Sequence, residues 1–188
     1  MPYICKCHIC VTLLNMKRFL FILALFATAF VTTNAQEANQ YNIFTRDGDI
    51  VWQKVYKTEL TEQQVFDQIR TGGNVCDVIV ADGKISGLLI ERSVEYASLG
   101  YTRMDVPIFL NHPHGGNFKL EMREGRYRVT VDHLYYVDET TPANKRTEFT
   151  FYVKKNGEIR LLSNTAQKII DNYLNRIFEV KTTEEEDW

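Results

Sequence analysis

The stretch Phe118–Tyr135 reads FKLEMREGRYRVTVDHLY. Phe118, Leu120 and Met122 alternate with Lys119, Glu121 and Arg123. After Glu124-Gly125, residues Tyr127, Val129, Val131, His133 and Tyr135 alternate with Arg126, Arg128, Thr130 and Asp132. An apolar residue at every second position, with charges between, is the pattern of half-buried antiparallel strands. The stretch therefore predicts a hairpin with one face on a core and the other in water.

Upstream the same period recurs. Tyr41 to Thr45 and Ile50 to Tyr56 flank Asp47-Gly48, a strong short-range hairpin signal. Val75 to Ala81 and Ile85 to Tyr96 read as strands around Asp82-Gly83, whereas Pro107 argues against a central strand in Leu99 to Leu110. Residues 111–116, Asn-His-Pro-His-Gly-Gly, read as a loop. Downstream, Asp138 to Arg146 is polar. Phe149, Phe151 and Val153 then form one face of a strand that Asn156-Gly157 turns into Glu158 to Leu161.

Two helices bracket these strands. Thr61 with Gln64 three residues on makes a capping box, Val65, Phe66 and Ile69 a narrow apolar stripe, and Gly72-Gly73 a stop. Near the C-terminus Ala166, Ile169, Ile170, Tyr173, Leu174, Ile177 and Phe178 share one helical face, with Ser163 or Asn164 as cap. The expected fold is α+β: a single antiparallel sheet of about four to six strands, one face covered by two helices.

The N-terminal segment belongs to no such element. From Met16, the basic pair Lys17-Arg18, an uncharged run from Phe19 to Val31, and the small residues before Ala35 have the form of a cleavable secretory signal. Residues 1–35 are therefore expected to be a signal peptide, with 1–15 an extension ahead of the true start at Met16. A single domain is expected over 36–181 and a solvated acidic tail over 182–188. The protein is then periplasmic or secreted, with no membrane span once the signal is removed.

Removing the signal takes Lys6, Lys17 and Arg18 but none of the 24 acidic residues, leaving 19 basic side chains and a formal charge of −5. That balance disfavours a general nucleic-acid binder. It also takes Cys5, Cys7 and Cys10, the only motif resembling a metal knuckle, and leaves Cys76 without a disulfide partner.

Three short motifs carry a family resemblance: Gly83-Lys-Ile-Ser-Gly87, Tyr101-Thr-Arg-Met-Asp-Val-Pro-Ile-Phe109 and Glu124-Gly-Arg-Tyr-Arg-Val129. Together they resemble an exported bacterial domain-of-unknown-function family with a TBP-like fold. The likeness runs from about residue 50 to 180. It implies a sheet-and-helix fold of the TBP-like or helix-grip type and an exported location. It implies no activity, and a fold named for a DNA-binding protein does not carry that function.

No residue set in the sequence forms a catalytic or metal signature. His112 and His114, with His133 elsewhere, lack further ligands and read as an exposed turn. Cys76 with His133 could be a nucleophile and base, but the cysteine sits in an apolar strand pattern that reads as buried. Asp77, Glu91, Glu95 and Glu121 are scattered strand acids that spacing cannot pair. No catalytic residue, metal ligand or cofactor is expected. Aromatic residues on strands are the candidate ligand-binding set, chiefly Trp52, Tyr127, Tyr135 and Tyr152, since an exposed row of rings can stack on sugars or grip a protein. The functional expectation is a non-enzymatic binding module of the bacterial cell envelope, taking a small ligand or an envelope protein. A helix over a curved antiparallel sheet can leave a pocket for an apolar ligand; a lined cavity beneath Ala166 to Phe178 would favour ligand binding, and solid packing there would count against it. The alternatives are an envelope hydrolase using those strand acids and a structural subunit of a surface assembly joined through an edge strand.

Overall fold

The structure is a computed structural model that describes residues 40–81, 83–158 and 162–181. The signal segment, Asp82, the strand expected beyond Glu158 and the acidic tail lie outside the described residues. Eight strands are described: β1 Ile43–Arg46, β2 Asp49–Lys57, β3 Val75–Ala81, β4 Lys84–Leu89, β5 Arg92–Ser93, β6 Pro113–Arg123, β7 Arg126–Asp138 and β8 Lys145–Glu148. Two α-helices accompany them, α1 Glu62–Thr71 and α2 Asn164–Phe178.

The β6–β7 hairpin is the centre of one antiparallel sheet with order β1-β2-β7-β6-β4-β3; β5 adds to β6 and β8 to β7. The β1–β2 turn places both Asp47 (φ 53°) and Gly48 (φ 82°) at positive φ, as a two-residue hairpin requires. Thr61 caps α1 with the reciprocal Gln64 bonds of a capping box. The left-handed residue that ends α1 is Gly73 (φ 64°), one position beyond Gly72, which stays right-handed.

Both helices cover the same face. Val65 and Ile69 of α1, and Ala166, Ile169, Ile170, Leu174, Ile177 and Phe178 of α2, join Trp52, Phe118, Leu120, Tyr127, Val129 and Val131 in one core. The opposite face carries Lys119, Glu121, Arg128 and the exposed Val55 and Leu88. Arg128 there is ion-paired with Glu121, as the alternation of the hairpin implies. Gly87 keeps the sheet closed up: a Cβ would lie 2.8 Å from both the Cys76 carbonyl oxygen and the Phe118 ring.

Four local expectations are corrected. The strand read over Ile85 to Tyr96 breaks after Leu89, resumes for two residues, and gives way to a 3₁₀ turn at Tyr96–Leu99. Residues 113–116 are strand, not loop. Proline is tolerated at a strand's first residue, and Gly115 leaves room for the end of the Tyr135 side chain, which a Cβ there would displace.

Phe149–Tyr152 is a 3₁₀ helix, not a strand. Its three-residue repeat puts Phe149 and Tyr152 on one side, with ring centroids 5.5 and 5.4 Å from Phe109. Finally, the alternation of β7 does not run through to Tyr135. His133 has φ 49°, and the register against β6 shifts between Gly115 and Asn117. This bulge inserts one residue, so Leu134 turns to the core and Tyr135 to the opposite face.

Candidate functional site

The four aromatic residues picked from the sequence do not form one surface. Trp52 and Tyr127 belong to the core beneath α2, at 0% and 1% exposure. The Trp52 indole N–H donates to Asp171 Oδ1 at 2.7 Å, and the Tyr127 hydroxyl donates to the Phe178 carbonyl at 2.8 Å. Tyr127 stacks on Tyr56 at 4.9 Å, and burial pushes its hydroxyl pKa up to about 12. Tyr152 is buried against Phe109 and Phe149. Burial, with the Tyr136 hydroxyl beside it, raises its pKa.

Tyr135 alone of the four reaches the other face. Its hydroxyl donates to Glu91 Oε1 at 2.9 Å and its ring lies under the Arg146 guanidinium. Burial first, then Glu91, pushes its pKa up to about 12. Residue type marks an aromatic as a good strand residue, and which face it takes depends on register.

The other candidates are also dispersed. Cys76 is half-buried on β3, and β4 and β6 separate it from His133 on β7, about 14 Å at the usual strand spacing. Glu91 pairs with Arg146, Glu95 with Arg176 and Glu121 with Arg128, at three separate places. The Arg128 hydrogen bond holds the Glu121 carboxyl below the usual range. Among the described residues no group of three or more His, Cys, Asp or Glu could hold a metal ion.

The histidine motif is not an exposed turn. His114 is 3% exposed, set edge-on to Phe109 and Phe149; neither ring nitrogen has a well-formed hydrogen bond, and the His112 backbone only partly offsets the burial. Burial pushes its pKa down to about 3, so the ring is neutral. His112 stacks on Tyr136 at 5.9 Å with Nε2 4.0 Å from Asp138.

The interface beneath α2 is solidly packed, which counts against a ligand site there. Ala166, Leu174 and Phe178 are fully buried there, and Phe178 packs against Trp52 and Phe118 with ring centroids 6.1 and 5.4 Å away. The hollow lies instead at the flank of α2, where β5 and the 3₁₀ turn after it approach the helix. Its volume is about 130 Å³.

Leu99, Ile169 and Ile177 supply its apolar lining. Arg92, Ser93, Asn172, Tyr173 and Arg176 supply the polar wall, with Asn74 and Glu95 also present. Helical spacing produces half of this wall: Asn172 and Arg176 are four residues apart and share a side of α2, with Tyr173 next to the first. The break in the strand after Leu89 produces the other half by bringing Arg92 and Ser93 to the helix. Burial pushes the Tyr173 hydroxyl up to about 12, opposed by the charge of Arg92.

The chain matches no family model, and no curated protein matches its sequence. Two solved structures are similar to it. One is a TBP-like protein from Parabacteroides distasonis, with 11% identity and a TM-score of 0.41, covering 68% of this chain and 84% of that one. The other is a DUF4468 family protein from Bacteroides ovatus, with 11% identity and a TM-score of 0.44, covering 76% of this chain and 93% of that one. Neither likeness assigns a role to any residue. Among the described residues, no helix is long and apolar enough to cross a membrane.

Proposed function

We propose that the chain is a non-enzymatic binding module, exported to the periplasm or the cell exterior, that holds a small ligand in the hollow beside α2. The hollow carries this reading, because it combines an apolar lining with several polar side chains converging on one space, the usual composition of a ligand site. Export rests on the signal-like segment from Met16 to Ala35.

The test is a ligand-observed NMR fragment screen of the purified protein beside an Asn172→Trp variant, whose indole fills the hollow. Fragments that bind the native protein should lose binding in the variant while its thermal midpoint stays unchanged. Fragments that bind both proteins equally, or no fragments at all, would remove the hollow as a binding site.

A second reading, a structural subunit of a surface assembly, is favoured by β3. This edge strand has Asp77 as its one charged residue and leaves Ile79 64% and Val80 58% exposed. Unpaired apolar edges of this kind invite strand addition. Light scattering on the native protein and on Ile79→Lys would reveal any self-association through that edge.

A further inference from the structure

We infer that the hollow beside α2 takes a small carboxylate: a monoanion whose carboxyl group sits between Arg92 and Arg176 and whose apolar part, about one benzene ring in size, rests chiefly on Leu99, with the buried Ile169 and Ile177 forming the floor. The inference builds on the binding reading above and names the ligand class.

Charge comes first. Two guanidinium groups line the hollow against one carboxylate, Glu95, an excess of one positive charge in a net acidic chain. Neither arginine is used up. Arg92 gives one N–H to the Gly73 carbonyl at 2.9 Å, and Arg176 gives one to Glu95. A guanidinium has five donors in a planar fork, so both retain capacity for a planar two-oxygen acceptor.

The Glu95 contact shows that a carboxylate can reach Arg176 from this side. With its side chain 68% exposed, Glu95 forms a surface pair that holds little energy and can be exchanged for a ligand.

The remaining polar groups agree. The side chains of Ser93, Asn172 and Tyr173 make no hydrogen bond among the described residues, although Tyr173 is partly buried. They are donors available to the second carboxylate oxygen or to a substituent on the ring. Size sets the rest, because a cavity of about 150 Å³ holds one benzene molecule and this one has about 130 Å³.

The probes are benzoate, its neutral counterpart benzyl alcohol, and inorganic phosphate, titrated into the purified protein and followed by NMR. Benzoate should saturate, with benzyl alcohol weaker by about tenfold or more, the worth of one charge-assisted contact. Arg92→Gln and Arg176→Gln should each weaken benzoate by about tenfold and leave benzyl alcohol unchanged. Glu95→Gln should tighten benzoate several-fold, a gain that misfolding cannot imitate. Raising salt should weaken benzoate alone.

Equal binding of benzoate and benzyl alcohol, with no effect of the arginine variants, would overturn the carboxylate assignment and leave the hollow standing as a neutral site. Phosphate displacing benzoate at equal concentration would overturn it in favour of a general anion patch. If none of the three probes binds while fragments still respond to Asn172→Trp, only the ligand class is wrong. If those fragments fail too, the binding reading itself falls.

Discussion

Among the described residues two buried aromatic clusters treat their polar atoms in opposite ways. Beneath α2, Trp52, Tyr56 and Tyr127 each send their one polar hydrogen to an acceptor: Asp171, Asn175 and the Phe178 carbonyl. At the far end of the β6–β7 hairpin, His114 is enclosed by Phe109 and Phe149 with neither nitrogen in a well-formed hydrogen bond. The first cluster couples packing to satisfied hydrogen bonds, so each ring both fills space and fixes the helix. The second buries a polar group without that return, and an unsatisfied buried group costs stability. The sheet and α2 are thus held by the first cluster, and the second is the part that acidity can reach.

Trp52→Ala should show the strength of the first cluster most directly. Deleting the indole leaves a cavity against Phe178 and orphans part of Asp171, so unfolding free energy should fall by about 3–5 kcal/mol in urea melts. Asp171→Leu, which keeps the ring but removes its acceptor and that of Asn42, should cost about 2 kcal/mol. A loss below 1 kcal/mol in both would mean that this cluster does not hold α2 as the geometry indicates.

His114 gives the contrast its sign. Its folded pKa of about 3 lies below the ordinary 6.5, so below pH 6.5 the unfolded chain takes up a proton that the folded chain refuses. The stability attached to the neutral ring is complete above pH 6.5 and is lost as pH falls towards 3. Between pH 7.5 and 5 the loss should be about 2 kcal/mol from this group. His114→Leu should flatten that part of the profile and leave stability at pH 7.5 unchanged or higher, since an apolar side chain of similar bulk needs no partner. A profile as steep in the variant as in the native chain would place the acid sensitivity elsewhere.

The sequence makes one of these clusters far easier to read than the other. The helical spacing of α2 and the alternation of Phe118 to Met122 and Tyr127 to Val131 define the first core almost residue by residue. The capping box at Thr61 and the turn at Asp47-Gly48 are legible because each depends on two neighbouring residues.

The second cluster is hidden by ambiguous periods. Phe149 and Phe151 satisfy a strand's period while Phe149 and Tyr152 satisfy a 3₁₀ helix, and only the Phe109 ring decides between them. The hollow beside α2 is hidden for another reason. Arg92 and Arg176 lie far apart in the chain, and on their own elements each is indistinguishable from a solvated outer-face residue.

The boundary between the two clusters is the bulge at His133, and it is the smallest feature that can be tested. Up to Asp132 the strand follows its simple alternation; after it, Leu134 and Tyr136 take the core side, which a pure period of two gives to His133 and Tyr135. Tyr135 and Tyr136 are both aromatic, so either face looks apolar in the sequence and the shift leaves no signature. The extra residue is accommodated because His133 adopts φ 49°, with its N–H donating to Asp49 Oδ2 at 2.9 Å.

A β-branched side chain is strained at that angle, so His133→Val should cost about 1–2 kcal/mol. His133→Gly and His133→Asn should stay within about 0.5 kcal/mol of the native chain, because both tolerate positive φ and keep the N–H. If β7 ran straight through in solution, the order would reverse: valine, a good strand residue, would be neutral or stabilising and glycine would be the costly change. Amide exchange at Leu134 to Val137 in the valine variant would then show whether the loss stays on the His114 side of the bulge or spreads to the paired strands under α2.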